Sequence, residues 1–159
     1  EFRRVLFRSH FAKRGREGLR ELKRDSFEVC EDANGTEFVR MTYIEKEKNH
    51  QGTDKKEKTK NAIMLSQPDD PNCPVKSFKL YQSKLDKSCN FLYQVVNKMW
   101  IKGGSDPWYL PKPIGKNLLG SMMKLISKEA FLSQEYTNHC LRVTAATALS
   151  HAGYDVSDT

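Results

Sequence analysis

Phe27-Glu28-Val29-Cys30-Glu31-Asp32-Ala33-Asn34-Gly35-Thr36-Glu37-Phe38-Val39-Arg40-Met41-Thr42-Tyr43-Ile44 is the stretch that decides the fold of this 159-residue chain. Phe27 to Cys30 and Glu37 to Ile44 alternate apolar and polar residues, the two-residue period of a half-buried strand. Between them stands Asp32-Ala33-Asn34-Gly35. Asn-Gly between two alternating runs is a strong hairpin signal, because both residues tolerate the positive φ that tight turns demand. An antiparallel hairpin is therefore expected.

Outward from the hairpin, the chain reads mostly helical. Arg16 to Arg24 has Leu19 and Leu22 on one face among Arg16, Arg20, Lys23 and Arg24, until Asp25-Ser26 breaks the pattern. On the other side, Lys46 to Lys60 is polar and holds Lys46, Lys48, Lys55, Lys56, Lys58 and Lys60. Ala62-Ile63-Met64-Leu65 then reads as a third strand, so the lysines occupy the loop joining strands two and three. Pro68 to Pro74 is punctuation. Val75 to Leu85 is expected as a helix with Val75, Phe78, Leu80, Tyr81 and Leu85 inward. Asn90 to Val96 is a short apolar run, and Lys98 to Pro113, rich in Gly, Pro and Trp, is a structured loop or flap. Asn117 to Ala130 is amphipathic through Leu118, Leu119, Met122, Met123, Leu125 and Ile126. Thr137 or Asn138 caps a last helix that ends near Gly153. The expected class is α+β, mostly α, with a small three-stranded antiparallel sheet.

The length suits one domain. A formal charge of +7 and a pI near 9.2 favour a polyanionic partner. At 38% hydrophobic and 10% aromatic the chain has enough apolar material to fold. No run reaches the length of a membrane span and no secretory signal is visible, so no membrane partner is expected. Cys30, Cys73, Cys89 and Cys140 form no C-x-x-C pair and read as free thiols. His10, His50, His139 and His151 do not fall at ligand spacing, so no metal is expected.

Glu1 to Ser9 (EFRRVLFRS) is what one frame of a common short-read sequencing adapter would encode. It is excluded from the fold reading as a non-native segment, which leaves residues 10–159, expected to be part of an assembled fragment whose true N-terminus is lost. Its three arginines against one glutamate carry two of the seven net charges, so the remainder is still basic.

The chemistry-bearing stretch is Thr137-Asn138-His139-Cys140-Leu141-Arg142, opening the run Val143 to His151. His139 and Arg142, three apart, share one helix face. The pattern alone is weak, since both are often plain surface residues. Around them Thr144-Ala145-Ala146-Thr147-Ala148-Leu149 is small and apolar, so the helix is expected to pack closely in the interior. There an arginine calls for an anionic partner.

With Arg14, Glu17 and Asp25 spaced as arginine, acid three later and aspartate eleven later, then the loop lysine, His139-Cys140-Leu141-Arg142 and Gly153, the chain resembles the catalytic domain of tyrosine recombinases. This is the phage-integrase fold, and the likeness is greatest to its crypton branch, which also gave rise to C-terminal domains of zinc-finger MYM-type proteins. The resemblance runs from about Phe11 to the last residue. It implies a fragment of a nuclear enzyme that cuts and rejoins double-stranded DNA in recombination or integration through a phosphotyrosine, without metal or ATP. Arg14 and Arg142 would clamp the scissile phosphate, His139 would donate to it or assist proton movement, and Lys46 would protonate the leaving 5′ oxygen. Glu17 would orient Arg14, and Arg16, Lys48, Lys55 and Lys56 would hold the DNA. Relatives act as multimers around paired duplexes, so a homo-multimer is the expectation for the longer protein.

Arg16 remains a rival for Arg14, and Lys48 for Lys46; the loop lysines also fit a solvated hairpin tip. The family's second His or Trp and its nucleophilic Tyr follow the last helix by several turns. Tyr154 and Tyr136 are read as structural and His151 as an ordinary helix-end residue, so the chain alone is expected to be inactive. The alternative function is a domesticated, non-catalytic DNA- or protein-binding module of a transcription or chromatin regulator. A third reading, a basic domain that binds nucleic acid by charge alone, predicts indifference to Arg→Lys exchange. Trp100, Trp108 and Tyr109 either stack on bases or anchor their Pro-rich loop to the core, with anchorage favoured.

Overall fold

The computed structural model describes residues 19–42, 63–151 and 153. Among them the expected hairpin is present: β1 (Phe27–Glu31) pairs antiparallel with β2 (Glu37–Met41), Val29 facing Val39 and Phe27 facing Met41. The turn is longer than a two-residue Asn-Gly loop. The Asp32 carboxylate accepts from the amides of Asn34 (2.9 Å) and Thr36 (2.8 Å), and Gly35 takes φ +79°. Asp32 thus writes the turn and Gly35 supplies its left-handed residue.

β3 (Ile63–Leu65) pairs antiparallel with β2, giving the order β1-β2-β3. Alternation then sorts the faces. Phe27, Val39 and Met64 are buried, with Val29 and Met41 packed beside them, while Glu28 and Arg40 pair across the outer face. Residues 43–62, which carry the loop lysines, join β2 to β3 and lie outside the described residues.

α1 (Pro74–Lys84) begins with Pro74 at a position that needs no amide donor. It lies against β2 and β3, and its Phe78 ring meets Phe27 edge-on at 6.0 Å. Val75, Phe78, Tyr81 and Leu85 are buried as expected, but Leu80 faces solvent. At about 100° per residue, position 80 falls roughly opposite the stripe the other four define.

The run Asn90–Val96 and the end of the flap form a second sheet that the sequence reading did not foresee. β4 (Gln94–Val96) pairs antiparallel with β5 (Tyr109–Pro113), with a register shift between Gln94 and Val95. Just before β4, the Leu92 amide donates to the Leu22 carbonyl (2.8 Å) and the Arg24 amide to that of Asn90 (2.9 Å). That pairing corrects the helix expected over Arg16 to Arg24. In its described part the backbone of 22–24 bonds across to 90–92, and only a single 3₁₀ turn, Arg24–Ser26, follows. Leu19 and Leu22 are nonetheless core residues. An isolated tertiary bridge has outweighed local helical period.

The flap is anchored by its aromatics. Tyr109 is buried edge-on to Tyr81 at 5.5 Å, and Trp108 packs on the core and against Trp100 at 5.2 Å. α2 (Lys116–Glu129) buries Leu119, Met122 and Met123, with Ile126 packed beside them. Leu118 and Leu125, expected inward, sit about a quarter turn off that stripe and are exposed.

The end of α2 is a Schellman motif, with the Leu132 amide donating to the Ser127 carbonyl (3.0 Å) and that of Phe131 to the Lys128 carbonyl (3.2 Å). Its left-handed residue is Phe131, at φ +50° and 93% exposed, where glycine is the usual choice. Phe131→Gly is expected to stabilise the fold by about 1 kcal/mol by relieving the Cβ clash. A denaturant titration that shows no gain would mean that the ring makes compensating contacts.

Among the described residues the architecture is α+β, with two small antiparallel sheets and three α-helices. No described helix is long and apolar enough to cross a membrane.

Candidate nucleic-acid interface

The third helix, α3 (Asn138–His151), begins where the sequence motif begins. Thr137 stands just before it and Cys140 three residues on, the spacing of a capping box with sulfur in place of carboxylate. The Thr137 amide donates to Cys140 Sγ (3.4 Å), and the Thr137 hydroxyl lies 3.4 Å from the same sulfur. Hydrogen bonding from the Thr137 hydroxyl, then from its amide, holds the Cys140 thiol below its ordinary pKa. Thr137→Val is accordingly expected to move the midpoint of Cys140 alkylation to higher pH, as followed by mass spectrometry. An unchanged midpoint would assign the shift to the helix terminus instead.

Asn138 fixes where this helix starts. Its Nδ2 donates to the carbonyls of Leu119 (3.1 Å) and Gly120 (2.6 Å) in α2, while its Oδ1 is buried without a hydrogen-bond partner among the described residues. The approach to the helix is tied down as well. The Tyr136 amide donates to Ser127 Oγ (3.0 Å), Ser127 Oγ donates to the Met123 carbonyl (2.8 Å), and Lys128 pairs with Glu135 at 3.2 Å. The Tyr136 hydroxyl is held below its usual pKa by the Ser133 side chain and then that of Gln134. α2 therefore serves as a platform that places the first two turns of α3.

His139 is exposed in the first turn and Arg142 half-buried in the second. Among the described residues no carboxylate pairs with Arg142. The small residues Ala145 and Ala146 are half-buried, and α3 meets α2. The expectation of a close-packed interior helix needs correction, because no described side chain of α3 is fully buried and Val143 is 48% exposed. Its contact is one-sided, leaving Val143, Thr144, Thr147 and Ala148 on an open face. Gly153 takes φ +85°, with its amide on the Ser150 carbonyl (3.0 Å), which is the helix-ending glycine the motif called for. His151 is exposed in the last turn.

Of the sequence-derived site, His139 and Arg142 are brought to adjacent turns of one helix. Asp25 is exposed on the 3₁₀ turn, where its carbonyl accepts from the Thr42 hydroxyl (2.7 Å). Arg14, Arg16, Glu17, Lys46, Lys48, Lys55, Lys56 and Tyr154 lie outside the described residues. Sequence reasoning missed the positioning role of Asn138. The signal was present in the choice of Asn as the first helical residue, a type that prefers to bond neighbouring backbone.

No protein-family model, curated protein or solved structure matches this chain. Any functional reading must stand on the residues themselves.

All four cysteines are free. Among the described residues no three His, Cys, Asp or Glu side chains gather at metal-binding distance. The chemical resource of the site is cationic. It has a planar guanidinium with no acidic partner among the described residues, an imidazole one turn away and a helix N-terminus, all groups that favour an oxyanion.

Proposed function

We propose that this chain is part of a crypton-like tyrosine recombinase, a DNA strand-cleaving and rejoining enzyme of the integrase fold. The observation that carries the reading is the pinned start of α3, where Arg142, unopposed by any described carboxylate, and His139 occupy successive turns. Placement of the lysine-rich segment between β2 and β3 is a second support, because the resemblance asks for its lysine there.

In this reading Arg142 and Arg14 bind the non-bridging oxygens of one phosphodiester, each through two parallel N–H donors. A tyrosine further along the polypeptide than Thr159 attacks phosphorus, and the bond to the 5′ oxygen breaks. Lys46 gives that oxygen its proton, His139 stabilises the charged phosphoryl group or accepts the tyrosine's proton, and Glu17 holds Arg14 in place. Arg16, Lys48, Lys55 and Lys56 grip the flanking backbone, and nuclear duplex DNA is the partner.

The test is a nicked suicide duplex offered to a protein that carries this segment with its continuation. The expected product is a covalent 3′-phosphotyrosyl adduct. Duplex binding with no adduct would instead favour a non-catalytic binding module, and a continuation without a His or Trp followed by a Tyr would count heavily against the enzyme.

A further inference from the structure

The loop between β4 and β5 carries a feature that the cleavage chemistry does not use. Lys98-Met99-Trp100-Ile101-Lys102 alternates in direction. Trp100 folds back on Trp108 (5.2 Å between rings), which sends its neighbours outward. Met99 is 78% exposed and Ile101 72%. Loop tips are normally polar, and residues 103–107 (Gly, Gly, Ser, Asp, Pro) obey that rule while 98–102 do not.

The tip is built rather than slack. Asn97 accepts from the Met99 amide through Oδ1 (3.0 Å), donates from Nδ2 to the Pro107 carbonyl (2.9 Å), and donates from its own amide to the Trp108 carbonyl (3.0 Å). Two turns follow, closed by the Trp100 amide on the Asn97 carbonyl (3.2 Å) and the Gly104 amide on that of Ile101 (2.9 Å). Gly103, at φ +87°, lets the second turn close. Five bonds and a tryptophan pair thus hold two large apolar side chains out in solvent.

Cations bracket them. Lys98 and Lys102 stand on either side, and Lys84 Nζ is fixed 5.0 Å above the Trp108 ring at the loop's base. Asp106 is the one acidic residue between positions 97 and 108.

We infer that this loop is a DNA wedge: Met99 and Ile101 enter a base step and part its stack, while Lys98, Lys102 and Lys84 bind the phosphates beside it. Unbranched and branched aliphatic wedges of this kind insert from the minor groove and kink the duplex. The charge pattern selects a polyanion over a protein groove, because a protein partner for an apolar tip does not require a lysine on each flank. The inference rests on the proposed DNA partner, yet it concerns a surface separate from the phosphate site on α3.

The test uses a protein that carries this chain with its continuation, and a short duplex that carries 2-aminopurine at several A·T steps and an energy-transfer pair at its ends. Binding is expected to raise 2-aminopurine fluorescence and shorten the end-to-end distance. The exposed double variant Met99→Ser/Ile101→Ser keeps the fold and the salt slope, weakens binding roughly tenfold, and loses both signals. Lys98→Gln/Lys102→Gln lowers the slope of log affinity against log salt by about 2. Wild-type binding without unstacking, or unstacking that survives the double variant, overturns the wedge and leaves the recombinase reading standing. Failure of the wild type to bind duplex overturns both. Equal or better binding to anionic phospholipid vesicles, with no 2-aminopurine response, makes the tip a lipid contact and overturns the wedge.

Discussion

On the proposed recombinase reading, replacing Arg142 with alanine is expected to lower covalent DNA-adduct formation about a thousandfold in a protein that carries this chain together with its continuation. The reason is differential. Negative charge builds on the non-bridging oxygens as phosphorus becomes five-coordinate, and a positioned guanidinium meets that charge with two donors at once. On the same reading, binding of the uncleaved duplex is expected to fall far less, since it would draw on many lysines and arginines along a basic chain. Arg142→Lys is the sharper variant. Lysine keeps the charge but cannot form the fork, so most of the rate is lost with little change in salt-dependent affinity. If the lysine variant formed adduct at the wild-type rate, the clamp would be wrong and only a basic surface would remain. Arg14→Ala combined with Arg142→Ala completes the argument, because two groups on one phosphoryl centre give effects that do not add. Additive losses would place the two arginines apart.

The local elements were legible where the chain's own neighbours decide them. The hairpin at Asp32–Thr36, the strand at Ile63–Leu65 and the three α-helices follow from period, Pro74 and glycine placement. What was not legible depends on partners distant in sequence. Residues 22–24 leave their helical pattern because residues 90–92 offer a backbone bridge, and β4 in a short apolar run pairs with β5 at the end of a Pro- and Trp-rich run that reads as loop. Leu80, Leu118 and Leu125 show the limit of apolar counting, since each is hydrophobic yet off the buried stripe. At the site, His139 and Arg142 were legible as a spacing. Their support was not: Asn138 on the α2 carbonyls and Tyr136 on Ser127 are contacts between segments eighteen and nine residues apart. Partial exposure of α3 was likewise hidden, because Ala and Thr suit a crowded face and an open one equally well.

Gln94→Met is expected to cost about 3 kcal/mol, a fall in Tm of roughly 6–12 °C for a chain of this size. Gln94 is 0% exposed, and its amide organises the turn that leads into β4. Oε1 accepts from the Asp86 amide (2.8 Å), while Nε2 donates to the carbonyls of Asp86 (3.0 Å), Cys89 (2.9 Å) and Phe91 (3.3 Å). Methionine matches the volume, so no cavity opens. The loss comes from one amide and several carbonyls stranded in or near the core, where each unmet group carries a desolvation penalty. Tyr81 deepens the effect, because its hydroxyl donates to the neighbouring Leu92 carbonyl (2.6 Å) and relies on the same backbone path. Gln94→Glu separates polar satisfaction from volume. A carboxylate keeps the acceptor for Asp86 but turns its second oxygen on the three carbonyls, so folding favours the protonated acid and raises its pKa above the unfolded value of about 4.3. The sign follows: relative to wild type, the deficit is smallest below that unfolded value and grows as pH rises through the folded one. Chemical denaturation at acid and neutral pH reads it directly. A deficit independent of pH, or a methionine variant as stable as wild type, would mean that the 86–94 turn holds its shape without the amide.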